Sequence, residues 1–214
     1  SELYVNMYFD SDASFTVDGK TIKIMQRRDP LTGSFHLSST SNGKQTVNRT
    51  AAEYPHNPDT LCVYLQIETD SEAELNINVR IPEWITEPAT VEHNNKLIAT
   101  AEKGSCFVSI RDNFKTGDVI CVTMKMGIRT YPLPDDENMV AFMYGPEVLA
   151  GLCGEERILY AGEDTPDKIL VHENEREWGS WKNDFKTINQ PSGIHFIPLN
   201  RIGYENYCVY FPIK

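Results

Sequence analysis

The chain has 214 residues, of which 31 are acidic and 20 basic, giving a formal net charge of −11. Its composition, 40% hydrophobic and 24% charged, is that of a globular protein and excludes a disordered or fibrous one. The negative charge argues against nucleic acid or an anionic membrane surface as a partner, and no run approaches the roughly 20 apolar residues that span a bilayer.

Alternation of apolar and polar residues predicts an all-β fold, because side chains of a strand point alternately to opposite faces. Asp18-Gly19 and Asn94-Asn95 suit tight hairpin turns, since these residue types tolerate positive φ. Strands are predicted at 3–9, 13–17, 21–27, 61–68, 74–81, 90–93, 96–100, 106–110, 118–125 and 139–144, and more loosely at 157–160, 195–198 and 206–211.

A domain boundary is predicted near residue 128, where the strand series stops and Pro132 and Pro134 should forbid regular pairing. Residues 1–128 are predicted to form an antiparallel two-sheet β-sandwich, jelly-roll-like in type. Residues 129–214 are predicted to form a smaller, loop-rich and β-rich C-terminal accessory domain. Within it, a short helix is predicted around 164–170, and the sparse structure of 151–192 suggests a surface that packs on something outside this chain.

The cysteines are odd in number and lie far apart in apolar runs, a pattern typical of free buried thiols. Such thiols favour a reducing compartment, cytoplasmic rather than periplasmic. The first residues lack both an initiator Met and the layout of a secretion signal, which suggests a cut from a longer polypeptide. The five cysteines of the chain are Cys62, Cys106, Cys121, Cys153 and Cys208.

No catalytic, metal-binding or cofactor-binding residue is predicted. The chain has neither Cys-x-x-Cys nor His-x-x-x-His zinc spacing, and no Gly-x-Ser-x-Gly nucleophile elbow. Acidic clusters at 135–137 and 155–156 would serve an independent small hydrolase, but adjacent acids in polar loops are usually solvated faces. Metal and cofactor chemistry is therefore not expected in this chain.

Aromatic side chains are the better candidates for ligand contact, since sugars stack their apolar faces on aromatic rings. Trp178 and Trp181 lie in the loop-rich region, and Tyr131 lies at the boundary. These three are the candidate residues for contact with a carbohydrate or with another domain. For the two tryptophans, the favoured interpretation is a structural one, either a plug on the sandwich or a docking patch for an absent domain.

Four segments together resemble a known family: 3–8 (LYVNMY), 79–84 (VRIPEW), 113–129 with its KTGD turn, and 140–146 (VAFMYGP). In this order and spacing they resemble the region downstream of the catalytic domain in bacterial β-L-arabinofuranosidases, glycoside hydrolase family 127 and its relatives. The resemblance is best over residues 3–150. It implies that the nucleophilic cysteine, the acid/base glutamate and the zinc-binding cysteines lie in an upstream (α/α)6 barrel, and none of the cysteines here falls in a matching motif.

The resemblance implies a non-catalytic β-sandwich portion of a glycoside hydrolase that acts on arabinofuranosides or related plant or host glycans. Its partner would be the upstream barrel of the same polypeptide, contacted through the loop-rich face of 151–192. The chain alone would be inactive, and it would either pair with a second copy or bind a separately expressed barrel. The alternative is a carbohydrate-binding module that retains polysaccharide through Trp178, Trp181 or Tyr131.

Overall fold

The computed structural model describes residues 1–29, 35–39, 45–49, 59–104, 107–163, 165–173 and 184–214. Its contacts divide the chain into two compact units, whose described parts lie within residues 1–125 and 126–214. This division lies three residues before the predicted boundary, and the folding of the two units as independent domains stays a prediction.

The first unit is built from strands alone in its described parts. The strands are β1 (Glu2–Val5), β2 (Ser11–Val17), β3 (Lys20–Asp29), β4 (Phe35–Ser39), β5 (Gln45–Arg49), β6 (Thr60–Thr69), β7 (Ala73–Arg80), β8 (Ala89–His93), β9 (Lys96–Ala101), β10 (Phe107–Phe114) and β11 (Val119–Lys125). One sheet has the order β1-β7-β10, a second has the order β2-β3-β6-β11-β8-β9, and β4 pairs with β5.

The core of the first unit is formed by the alternate apolar residues of its two larger sheets. In β7 these are Leu75, Ile77 and Val79, all buried, while Glu74 and Arg80 of the same strand are exposed. Contact between the sheets is visible at His93 of β8, whose ring lies 5.3 Å from that of Phe114 on β10. The prediction of an all-β, sandwich-like fold is confirmed.

Two hairpin turns in the described part of the first unit are those that the sequence predicts. Asp18 and Gly19 have φ of 51° and 77° between β2 and β3, and Asn94 and Asn95 have φ of 52° and 66° between β8 and β9. Positive φ at both central residues defines a type I′ turn, whose twist matches that of the strands it joins.

Pairing in the first unit departs from the antiparallel expectation at one point. Strand β1 runs parallel to β7, with Leu3 opposite Ile77 and Val5 opposite Val79. A parallel neighbour needs a long crossover connection rather than a hairpin, and here most of the first unit separates the two strands along the chain.

The second unit contains one continuous sheet in its described residues. The strands are β12 (Ile128–Leu133), β13 (Asp136–Tyr144), β14 (Glu147–Gly151), β15 (Leu170–His172), β16 (Phe185–Thr187), β17 (His195–Pro198) and β18 (Tyr210–Pro212), and short 3-10 helices lie at Pro166–Ile169 and Leu199–Arg201. The order of the strands in the sheet is β12-β13-β14-β17-β16-β15, with β18 paired to β13.

The prediction that the prolines would forbid regular pairing near residue 132 is wrong. Pro132 lies within β12 and pairs with Val140, and the register shifts between Pro132 and Leu133. Strand β12 is at the end of the strand order. An edge strand and a bulge are the two places where a sheet tolerates a residue without an N–H group.

Aromatic rings in edge-to-face and tilted contact form the core of the second unit. Phe142, Phe196 and Phe211 are fully buried, and their ring centroids lie 5.0–6.3 Å apart. Gly151 is required by this packing, because a Cβ at that position would lie 2.5 Å from Phe211 Cζ and 2.9 Å from Phe196 Cζ.

Other local predictions have mixed outcomes in the second unit. The short helix predicted at 164–170 is a 3-10 helix at Pro166–Ile169. The strand predicted at 157–160 is reduced to an isolated bridge at Leu159, and the last strand begins at Tyr210 rather than at 206. No helix in the described ranges has the length and apolar character needed to span a bilayer.

Candidate functional site

Tyr131 is the one predicted contact residue that the structure describes. It lies on β12 opposite Ala141 of β13, and Ala141 is also opposite Tyr210 of β18. Residues directly opposite one another project from the same face of a sheet, so the two tyrosines flank the small Ala141. Tyr131 is 36% and Tyr210 48% exposed, whereas Ala141 is buried. We call these three residues the tyrosine row.

The tyrosine row has a cation at one end. Arg129 precedes Tyr131 by two residues on β12 and therefore shares its face, and its guanidinium carbon lies 5.0 Å from the Tyr131 ring centroid. A guanidinium over an aromatic face is attracted by the ring quadrupole and restricts the ring's orientation. The rings of Tyr131 and Tyr210 are separated by two strand spacings, about 10 Å. They offer apolar ring surface beside the hydrogen-bond donors of the tyrosine hydroxyls and of Arg129.

The sequence identifies Tyr131 but not its partner in the row. Tyr210 falls within the predicted strand 206–211, yet no sequence signal indicates that this strand pairs with β13. The pairing of β13 with β18 joins residues about 70 positions apart in the chain. Hydrophobic periodicity indicates single strands and does not encode which distant strands pair. Trp178 and Trp181 lie outside the described residues, so their role stays a prediction.

A buried carboxylate lies directly before the range that contains the tryptophans. Glu173 is 8% exposed at its side chain, and its Oε2 lies 2.6 Å from His195 Nδ1. Its other oxygen, Oε1, lies 3.8 Å from Lys186 Nζ. The buried carboxyl group therefore has two more exposed polar partners, the His195 ring and the Lys186 amine, and a buried polar group without a partner would cost free energy.

A groove of about 300 Å³ lies elsewhere on the second unit. Its floor includes Tyr160 and Gln190, and the Gln190 amide is committed to the backbone, since Oε1 accepts from Tyr160 N at 2.8 Å and Nε2 donates to Tyr160 O at 2.8 Å. The amide therefore fixes the two segments to one another.

The acidic clusters do not have the environment of catalytic acids. Asp135, Asp136 and Glu137 are exposed, and Asp136 Oδ1 accepts a hydrogen bond from Asn138 N at 3.0 Å, as in a local turn. Glu155 and Glu156 are also exposed. A general acid in a glycosidase needs partial burial, so the geometry favours solvated faces.

Two of the thiols belong to the core of the first unit. Cys62 Sγ lies 4.0 Å and Cys121 Sγ 3.7 Å from Thr123 Oγ1, and Tyr64 packs in the same cluster. Burial raises the pKa of the Cys121 thiol and of the Tyr64 hydroxyl, which keeps both groups neutral. Within the described ranges, no three His, Cys, Asp or Glu side chains converge as a metal site would need.

Comparison with known proteins identifies the family of the chain. Residues 2–126 match the family model described as β-L-arabinofuranosidase, GH127 middle domain. The chain belongs to this family. No curated protein sequence matches it.

Solved structures of glycoside hydrolases resemble the whole chain in fold. A GH127 β-L-arabinofuranosidase from Geobacillus stearothermophilus T6 is 18% identical, with a TM-score of 0.59 over 100% of this chain and 34% of that one. A second structure, of a GH127 β-arabinofuranosidase, is 19% identical, with a TM-score of 0.63 over 100% of this chain and 35% of that one. A third, of a glycoside hydrolase, is 16% identical, with a TM-score of 0.60 over 98% of this chain and 35% of that one.

These likenesses confirm the sequence resemblance and extend it. The middle-domain match ends at residue 126, where the second compact unit begins. The likeness in fold also covers residues 151–214, for which the sequence resemblance is weak. The chain spans about a third of the length of the solved GH127 structures.

Proposed function

We propose that this GH127 middle-domain chain supports the catalytic barrel of a glycoside hydrolase that acts on arabinofuranosides or related plant or host glycans, and takes no catalytic part itself. The proposal rests on the match of residues 2–126 to a middle domain, a region named for its place within larger enzymes. The resemblance implies that the nucleophile, the acid/base residue and the zinc ligands lie upstream, so we expect no cofactor in this chain.

We assign the barrel contact to an apolar patch at the start of the first unit. Tyr4, Met7 and Phe9 are all at least half exposed, and the Tyr4 ring lies 5.2 Å from that of Phe107 in an edge-to-face pair. In the enzymes that the chain resembles, the barrel is upstream, so this segment is the nearest in sequence to it. Clustered exposed apolar side chains mark interaction surfaces. The other candidate contact, the loop-rich face of 151–192, lies partly outside the described residues.

Binding of the separately expressed barrel of the parent polypeptide tests this assignment. The double variant Tyr4→Ser, Phe9→Ser is expected to weaken binding, measured by isothermal titration calorimetry, by about tenfold or more, because truncating buried aromatic anchors costs more than 1 kcal/mol each. The matched control is Leu97→Ser, Ile98→Ser, which removes comparably exposed apolar side chains from β9. No binding by the parent chain, or equal weakening by both variants, would contradict the assignment.

The tyrosine row favours a second candidate, a carbohydrate-binding module. In that case affinity electrophoresis in an arabinan gel would retard the parent chain. The double variant Tyr131→Ala, Tyr210→Ala would abolish the retardation. If the tryptophans share the site, the double variant Trp178→Ala, Trp181→Ala would abolish it too. The control is Tyr204→Ala, which removes another exposed ring. The supporting role predicts no retardation of the parent chain.

A further inference from the structure

Two segments of the second unit bring a pair of cysteines together. Gly151 and Cys208 form an antiparallel bridge, in which Gly151 N donates to Cys208 O and Cys208 N donates to Gly151 O, both at 2.9 Å. The alignment continues beyond the bridge, because a Cβ on Gly154 would lie 3.7 Å from Asn206 Nδ2. Cys153 therefore lies beside the segment that carries Cys208.

The two cysteines meet at one backbone carbonyl group. Cys153 Sγ lies 3.6 Å from Gly151 O, and the same oxygen accepts a hydrogen bond from Cys208 N at 2.9 Å. Cys208 Sγ lies 3.9 Å from Glu155 O, two residues beyond Cys153. Both side chains are only partly buried, so a small reagent has access to them.

We propose that Cys153 and Cys208 are a site of reversible covalent modification, in which reaction with a small-molecule disulfide such as oxidised glutathione converts the two thiols to an internal disulfide. One thiolate attacks a glutathione sulfur, which forms a mixed disulfide and releases one glutathione thiolate. The second thiolate then attacks the protein sulfur of that mixed disulfide and releases the other glutathione. The two cysteine protons pass to the released thiolates, so two cysteines are oxidised and one glutathione disulfide is reduced.

The surroundings of the pair permit the geometry of a disulfide. Sulfur atoms must approach to about 2.05 Å with a dihedral angle near 90°, which generally requires some adjustment of the backbone. Residues 153–158 lie beyond the end of β14 and outside any strand, so an adjustment on the Cys153 side does not disrupt a sheet. Cys62 and Cys121 provide the contrast, because they lie within the paired strands β6 and β11, opposite Thr123 and Tyr64 respectively.

The cross-link would change the stability of the second unit. It closes a loop that runs from Cys153 to Cys208 and includes β15, β16 and β17. Constraining so long a loop lowers the entropy of the unfolded chain, and the thermal unfolding midpoint is expected to rise by on the order of 5 °C or more. Reduction with dithiothreitol should reverse the rise.

The test is a disulfide map of the full chain. The protein is incubated with oxidised glutathione, its remaining thiols are blocked with N-ethylmaleimide, and a non-reducing digest is analysed by mass spectrometry. The expected product is a peptide pair joined through Cys153 and Cys208, with Cys62 and Cys121 blocked as free thiols. Stable glutathione adducts on Cys153 and Cys208 without the joined pair, or a joined pair between other cysteines, would overturn the proposal.

Single serine variants separate the cross-link from incidental oxidation. Cys153→Ser is expected to carry glutathione on Cys208 and to show no rise in unfolding midpoint on oxidation, and Cys208→Ser is expected to do the converse. A rise that persists in either variant would contradict the assigned pair. Should a variant fail to fold, the disulfide map of the parent chain still decides the question.

Discussion

At the scale of single residues, the sequence predicts backbone conformation better than side-chain partners. The pair Asn94-Asn95 predicts its type I′ turn correctly, but the role of Asn94 beyond the turn depends on contacts with a distant strand. Its Oδ1 accepts from Val119 N at 2.9 Å, and its Nδ2 donates to Asp118 Oδ1 at 3.0 Å. Asp118 is itself buried and also accepts from Lys115 N at 2.9 Å.

The two asparagines of this turn are therefore expected to differ in their effect on stability. Asn94→Gly keeps a residue that tolerates positive φ but removes the side-chain hydrogen bonds of Asn94, one of them to a buried carboxylate, and should lower the free energy of unfolding by about 1–3 kcal/mol. Asn95→Gly, the matched control at φ 66°, should change it little. Urea denaturation of both variants measures the difference, and equal effects would show that the side-chain bonds contribute nothing.

At the scale of elements, prediction succeeds where strands are long and have one face in water. Strand β7 shows both faces in its alternation and is found correctly, whereas β15 and β16 have three residues each, too few to show a period. Strand β12 is missed because Pro132 is a strong local signal, and only the position of the strand at the sheet edge makes the proline acceptable. The candidate site has the same limit, since the tyrosine row joins residues from distant parts of the chain.

The short edge strand β1 depends on one buried side chain of β3. Gln26 Nε2 donates to Met7 O at 2.9 Å and to Phe9 O at 2.6 Å, which fixes the segment that follows β1. Gln26→Ala is expected to increase amide hydrogen exchange across Leu3–Val5, because an edge strand with few contacts opens locally at low cost. The matched control is Gln66→Ala on the adjacent strand β6. Unchanged protection in Gln26→Ala would show that β1 is held by its pairing with β7 alone.

At the scale of the whole molecule, surface ion pairs between carboxylates and basic side chains make stability depend on pH, because the pairing changes the pKa of the carboxyl group. The Arg111 guanidinium donates to Glu74 Oε1 from Nε at 2.9 Å and from Nη2 at 2.6 Å, and this bonding lowers the pKa of the Glu74 carboxyl. Because the folded pKa is lowered, the pair stabilises the fold at pH values above the ordinary pKa of a glutamate side chain, and the stabilisation is lost as pH falls through the folded pKa.

Glu74→Gln is therefore expected to destabilise the protein slightly at pH 7 and not at pH 3. The effect should be small and should diminish in high salt, since the pair is on the surface. Urea midpoints of the variant and the parent chain at both pH values measure it. Glu72→Gln removes the same charge two residues earlier and serves as the control. A difference that grows toward pH 3 would contradict the assigned sign.

The isolated chain is expected to hydrolyse no aryl β-L-arabinofuranoside above the rate in buffer. Glycoside hydrolysis generally needs two carboxyl groups about 5–10 Å apart, one of them in an environment that keeps it protonated. The acidic clusters at 135–137 and 155–156 are exposed to water, and the family resemblance implies that the catalytic groups lie in the upstream barrel. Release of the aryl group, followed by absorbance, should therefore require the barrel.

Variants in the acidic clusters distinguish the chain's own catalysis from contamination. Asp136→Asn and Glu155→Gln are expected to leave the background rate unchanged. Turnover that survives repeated purification and disappears in either variant would contradict the supporting role, because exposed carboxylates would then be acting as the acid and base. A supporting role requires that turnover appears only when the barrel is added and is unaffected by both substitutions. All reacting groups would then belong to the barrel.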